Sequence, residues 1–259
     1  MRGIKLQDLL RYFVKFSYFG GRYHGWQKQP NAITVQEVLE NAFTTILRDT
    51  IVLAGAGRTD TGVHAKEMFA HFDIAQELET GKVVHRLNSL LPKDIAVAEI
   101  FAVKEDVHAR FTAVERSYEY HVATAKNPFL TETACIIRKN LDVAKMNAAA
   151  QLLLGTQDFE CFSKSKTQVY TNMCTITEAI WVTDMQGNLT FKITANRFLR
   201  NMVRAIVGTL LDVGQGTRLA EEIKTIIASK SRANAGVSVP AKGLFLTAIT
   251  YPNTIFNNG

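Results

Sequence analysis

The 259-residue sequence predicts an α+β protein made of two similar αβ halves, with a mainly antiparallel sheet and helices packed on one side. Three observations lead to this class. Short runs alternate apolar with polar residues, the period of strands. Longer runs between cap signals place apolar residues three to four apart, the period of helices. The same grammar also occurs twice, in residues 1–107 and again in 108–259, with no Pro- or Ser-rich linker at the boundary.

In the first half, Arg11 to Tyr18 alternates and reads as a strand. Pro30-Asn31 breaks the chain before Thr34-Val35-Gln36-Glu37, a capping box in which Thr and Glu side chains satisfy the first free amides of a helix. That helix runs to Leu47, with Val35, Val38, Leu39, Ala42, Phe43 and Ile46 on one face. A strand at 51–55, a polar turn around Asp60 and a strand at 67–74 follow. A helix at 81–90 and a strand at 95–103 close the half.

The second half opens with strands at 116–124 and 133–138. Asp142 caps a helix to Leu154, and Gly155 is its natural stop. Strands at 175–184 and 188–195 are joined by Gln186-Gly187. Helices at 199–213 and 218–229 lead to a last strand at 244–251. The polar stretch 163–172 reads as a mobile loop and Asn253 to Gly259 as a loose tail.

Composition narrows the class of partner. Hydrophobic residues make up 47% and charged residues 21%, as in ordinary globular proteins. The formal net charge is +6 and the sequence pI about 9.2. Residues 101–259 carry most of it, with 18 basic against 13 acidic side chains, compared with 12 and 11 in residues 1–100. That excess fits a polyanionic partner, most simply a nucleic acid. Cys135, Cys161 and Cys174 lack zinc-ligand spacing and read as reduced thiols. Charges interrupt every apolar run near Met1, and no stretch of 18 apolar residues exists, so neither a secretion signal nor a membrane span is expected. The expected location is the cytoplasm.

GRTDTGVHA, Gly57 to Ala65, sets Asp60 in a polar turn between two apolar runs. Asp and Gly favour turns in any case. A carboxylate at such a junction, with Arg58 two residues away to keep it ionised, is also placed as a nucleophile. Arg197, Arg200 and Arg204 fall at i, i+3 and i+7 of the helix expected from residue 197, a stripe able to grip phosphates. Tyr118 and Tyr120 alternate with Arg116 on a strand, an aromatic platform beside an anion contact. The loop Gly21 to Pro30 gathers Arg22, Tyr23, His24, Trp26 and Lys28, which suits single-stranded RNA. The six histidines lack paired-ligand spacing, so no metal is expected.

Three readings stand at this point: an enzyme that modifies a base with Asp60, a non-catalytic RNA-binding module, and an aspartic protease suggested by Asp60-Thr61-Gly62. The protease needs two aspartates sharing a proton, and this chain has one such motif with Arg58 beside it.

Further motifs extend the pattern along the chain. They are GWQKQ with TVQ (25–36), LP-x-DI (91–95), HARF-x-A-x-x-R-x-Y-x-Y (108–120), LLG-x-x-DF (153–159), FLRNMVR-x-IVGTL (198–210) and PA-x-GL-x-L (240–246). With GRTDTGVHA they resemble, in order, the tRNA pseudouridine synthase A (TruA) family. The resemblance implies two ferredoxin- or RRM-like halves with a central RNA-binding cleft. It implies isomerisation of uridine to pseudouridine in the tRNA anticodon stem-loop, at uridines 38, 39 and 40, by a homodimer without cofactor or metal. Asp60 matches the catalytic aspartate, Tyr118 the tyrosine that stacks on the flipped uracil, and Arg204 the arginine that pairs with that aspartate. Arg58 matches the arginine associated with base flipping, and Leu244 the apolar residue lining the base pocket. Arg200, Arg197 and Trp26 are expected to touch RNA.

The chain departs from the family at three places. Val107 stands for a phenylalanine. Cys174 stands for an arginine, which removes an RNA contact or shifts it to Lys164 or Lys166. AGVSVPA at 235–241 replaces AGPTAPA, with one proline fewer, which is expected to loosen the loop before Leu244.

Overall fold

The structure, a computed structural model, describes residues 9–164 and 170–256. It is a mixed α+β protein with five helices and mostly antiparallel strands among the described residues. By contacts between residues the chain divides into unit 1, the described residues of Met1–Val114 and Ala248–Gly259, and unit 2, Glu115–Thr247.

Unit 1 contains β1 (Leu10–Tyr18), α1 (Val35–Leu47), β2 (Ala54–Gly55), β3 (His64–Ile74), α2 (Thr80–Leu90) and β4 (Ile95–Val103). Its strands lie in the order β4-β1-β3-β2, each pair antiparallel. Thr34 caps α1 as expected, its hydroxyl accepting from the Glu37 amide at 3.4 Å. Val35, Leu39, Ala42, Phe43 and Ile46 are buried along one side of α1, where Phe43 meets Phe72 of β3 at 4.9 Å between ring centroids. On β4, the Asn88 side-chain amide from α2 brackets Val97, donating to its carbonyl at 2.7 Å and accepting from its amide at 2.8 Å.

Two expectations for this unit change. The strand expected at 51–55 pairs only over Ala54–Gly55, because α1 side chains bind the preceding backbone. Glu40 accepts from the Leu53 amide at 3.0 Å, and Gln36 donates to the Leu53 carbonyl at 3.0 Å. The tail is not loose through Phe256: Ile255 is buried, its carbonyl accepts from the Lys104 amide, and Phe256 bridges to Val103.

Unit 2 contains β5 (Glu115–Ala123), β6 (Cys135–Ile136), α3 (Val143–Gln151), β7 (Gly155–Asp158), β8 (Met173–Thr183), β9 (Leu189–Ala195), α4 (Met202–Gly214) and α5 (Glu222–Ser229). The last strand, β10 (Leu244–Thr250), begins in this unit and ends in unit 1. The order within unit 2 is β10-β5-β9-β8-β7, and β6 pairs parallel to β5. Asp142 caps α3 through the Lys145 amide at 3.0 Å. Asn147 of α3 brackets Trp181 of β8 by the same amide device that Asn88 uses on Val97.

Here too the structure corrects the sequence reading. Gly155 does not simply stop a helix. α3 ends at Gln151, and Gly155, at φ +88°, turns the chain into β7, a strand the sequence did not suggest. The helix expected from residue 197 starts at Met202, because Asn201 has left-handed backbone, φ +67°. Of the three arginines, only Arg204 is helical, so the stripe does not exist as a helix face. Of the polar stretch 163–172, residues 165–169, Lys166 among them, lie outside the described residues.

Candidate functional site

In unit 1 the site residues gather on the connection from β2 to β3. Asp60 opens a turn closed by the Val63 amide donating to its carbonyl at 3.1 Å, with Gly62 at φ +78°. Only glycine adopts that backbone without strain. The segment after β1 clasps this turn. The Tyr18 and Thr59 hydroxyls lie 2.8 Å apart, and the Trp26 amide donates to the Thr59 carbonyl at 3.3 Å. The Gly62 amide donates to the Tyr23 carbonyl at 3.3 Å, and the Gly20 amide to His64 Nδ1 at 2.9 Å.

The clasp is close enough to need glycine. A Cβ on Gly20 would lie 1.9 Å from the Val63 carbonyl oxygen, and one on Gly25 2.3 Å from that of Thr59. The clasping segment is anchored in turn, the Tyr23 hydroxyl donating to Asp94 at 2.6 Å. Burial and that carboxylate together push the Tyr23 phenol above its ordinary range.

Asp60 itself is half-buried. Arg58, two residues before it on the same connection, is exposed. Trp26 is 3% exposed, stacked on Phe16 at 5.2 Å and seated on Gly55, whose missing Cβ makes room for the indole. The ring is packed inside the unit, and its link to the site runs through the backbone bond to Thr59.

In unit 2 the site residues gather around β5 and the loop between β9 and α4. Tyr118 is half-buried and meets Phe198 edge-on at 5.2 Å. Tyr120, two residues on, is buried and donates to the Pro240 carbonyl at 2.9 Å, while Arg116 donates to the Asn196 carbonyl at 2.9 Å. The loop is pinned along its length. Asn196 exchanges hydrogen bonds with Thr175, the Lys164 amide donates to the Arg200 carbonyl at 3.0 Å, and Asn201 donates to Ser238 Oγ at 2.6 Å. Arg197 is half-buried and Arg200 exposed. Arg204, in the first turn of α4, donates through Nε to the Val239 carbonyl at 2.8 Å. Leu244, 6% exposed, starts β10 just after Gly243, which packs against the Tyr120 ring.

Sequence reasoning missed Tyr18, Thr59, Phe198, Asn201 and Ser238. The glycines at 20, 25 and 62 were the available signal for the clasp, since closely spaced glycines mark close backbone approach. Two of the three departures also read differently in three dimensions. Cys174 is 1% exposed, and burial pushes its thiol up to about 11, so this position is interior. The segment 235–241 is bonded along its length by Arg204, Asn201, Arg232, Thr209 and Tyr120.

Among the described residues, no group of three or more His, Cys, Asp or Glu is placed to hold a metal ion. No helix there is long and apolar enough to cross a membrane.

A family model described as tRNA pseudouridine synthase matches residues 15–112 and 149–252. The chain is 49% identical over 247 residues to tRNA pseudouridine synthase A of Bacteroides fragilis, covering 95% of this chain and 98% of the relative. It is 47% identical to the enzyme of that name from Porphyromonas gingivalis, over 96% of this chain and 100% of the relative. With the Bacillus subtilis protein the figures are 40%, 94% and 100%.

Proposed function

Because the chain belongs to the tRNA pseudouridine synthase family, we propose that it isomerises uridine to pseudouridine in the anticodon stem-loop of tRNA, at positions 38, 39 and 40, with Asp60 as nucleophile. The observation that supports Asp60 is the hold on its loop. Backbone bonds from Trp26 to Thr59 and from Gly62 to Tyr23, with the Tyr18–Thr59 hydroxyl pair, fix a half-buried carboxylate before any substrate arrives. A nucleophile held in place pays little entropy when it reacts.

The reaction balances within one nucleotide. Asp60 attacks the sugar C1′, displacing N1, or adds to the uracil C6 before the N1–C1′ bond breaks. The base turns, C5 bonds to C1′, the bond to Asp60 breaks to restore the carboxylate, and N1 ends protonated. The C5 proton leaves to a base, and nothing is consumed, so no cofactor is required. Tyr118 stacks on the extruded uracil and takes that proton, Leu244 lines the base pocket, and Arg204 pairs with the catalytic carboxylate. Arg58, exposed, holds the place the base leaves, while Arg200 and Arg197 grip the backbone. Extrusion of a stem base costs a few kcal/mol, offset by stacking and phosphate contacts. Trp26 supports the Asp60 loop from inside.

The strand orders β4-β1-β3-β2 and β10-β5-β9-β8 support reading each unit as a ferredoxin-like αβ half. A cytoplasmic homodimer belongs to the same proposal. The test is tritium release from an anticodon stem-loop transcript labelled at uracil C5. Wild type releases tritium and Asp60→Asn binds the transcript without releasing it; turnover by Asp60→Asn at the wild-type rate refutes the nucleophile.

A further inference from the structure

We propose that Ser238 is a positioning residue for Arg204, acting by locking the strap 235–240 to the first turn of α4. The inference rests on the role of Arg204 proposed above.

Arg204 and Val239 are bonded in both directions. The Arg204 Nε–H donates to the Val239 carbonyl at 2.8 Å, and the Val239 amide donates to the Arg204 carbonyl at 3.2 Å. With Nε so engaged, the plane of the guanidinium is set by where the Val239 carbonyl stands, and its two Nη groups are aimed accordingly. The direction of the fork therefore depends on the register between strap and helix.

Ser238, next to Val239, sets that register. Its Oγ accepts from Asn201 Nδ2 at 2.6 Å and from Arg232 Nη2 at 2.9 Å. A hydroxyl oxygen has two lone pairs, and both are engaged. Asn201 is the residue on which α4 begins, held at φ +67° in left-handed backbone, a conformation that needs its surroundings to over-determine it. One serine thus ties the helix start, through Asn201, to the residue that orients Arg204.

The rest of the strap leaves the serine as a fine adjustment. The Gly236 amide donates to Thr209 Oγ1 at 2.8 Å, the Pro240 carbonyl accepts from Tyr120 at 2.9 Å, and the Val237 carbonyl rests where a Cβ on Gly208 would be, 1.8 Å away. These contacts keep the strap on α4 when Ser238 is changed, while the Val239 carbonyl is freed to shift.

The experiment uses the full chain with Ser238→Ala and Ser238→Thr, which keeps the hydroxyl. Two readouts are followed: single-turnover tritium release at saturating tRNA, and the Arg204 Nε–H resonance in protein labelled with 15N-arginine. Ser238→Ala is expected to slow single turnover about tenfold, with the half-saturating tRNA concentration unchanged. The Arg204 resonance should lose its exchange protection, Ser238→Thr should restore both, and Ser238→Ala should add nothing to Arg204→Ala. A Ser238→Ala protein with a wild-type resonance overturns the inference, as does a rate loss that adds fully to that of Arg204→Ala. If Ser238→Ala fails to fold, Asn201→Gly, which keeps the left-handed backbone and removes the amide, is read by the same resonance. Wild-type activity in Arg204→Ala removes the catalytic role of that arginine, and the Nε–H resonance then decides the positioning by itself.

Discussion

The Tyr18 hydroxyl lies 2.8 Å from Thr59 Oγ1, one residue ahead of Asp60, although the two are 41 positions apart. Tyr18 is 4% exposed, so this hydrogen bond is shielded from water on the tyrosine side. Tyr18→Phe keeps the ring packing and removes one partner. The expected loss is about 1 kcal/mol of loop order, read as a several-fold slower single turnover with a melting temperature lowered by only a few degrees. An unchanged rate would show that the pair contributes nothing to Asp60.

Gly25 makes a sharper test of the clasp. Alanine there meets both a positive φ of +87° and the Thr59 carbonyl at 2.3 Å. Gly25→Ala should cost about 2 kcal/mol or more in urea unfolding and should slow catalysis. Gly57 has nothing within 4 Å of an added Cβ, so Gly57→Ala is the matched control and should be close to neutral. Equal losses from the two would place the strain outside the clasp.

Arg200 is exposed, and its carbonyl holds the Lys164 amide at 3.0 Å, so two basic residues share one piece of surface. Arg200→Ala should weaken binding across all tRNAs. The slope of log K against log salt should fall by about 0.7–0.9 for each phosphate contact removed. A slope equal to wild type means that Arg200 touches no phosphate.

His71 gives the protein an acid-side limit. It is 6% exposed, and Nδ1 accepts from the Ala109 amide at 3.2 Å, which requires neutral imidazole. Burial, with Arg11 and His108 nearby, lowers its pKa from 6.5 to about 4. The native state therefore binds this proton less readily than the unfolded chain. The resulting stability is complete above pH 6.5 and is lost as pH falls toward 4, on the order of 2 kcal/mol by pH 5. Urea unfolding at pH 7.5 and pH 5 measures it, and His71→Gln should flatten the difference. A slope that persists in His71→Gln assigns the loss to another group.

Much of this was legible along the chain. Thr34 and Asp142 announced their helices because a cap needs only a side-chain oxygen and an amide three residues away. The alternation in β1 and β9 marked strands with one buried face. Asp60 stood out as a polar residue between apolar runs, and Tyr118 by its phase with Tyr120. The start of α4 was not legible. Apolar spacing continues back through Leu199, yet Asn201 is drawn out of the helix by Ser238, 37 positions later. The strand at 51–53 was lost in the same way, to Glu40 and Gln36 of α1.

Readable along the chain, therefore, is the part governed by near neighbours: the α+β class, most of the helices and strands, the turn that carries Asp60, and the motifs that mark the family. It took the folded chain to show that Arg197 and Arg200 leave the helix that keeps Arg204, that Trp26 turns inward onto Gly55, and that Tyr18 reaches Thr59. The reason is physical. Periodicity and capping act over a few residues, whereas these outcomes are set by hydrogen bonds and packing between distant segments, whose strength exists only once the chain has brought them together.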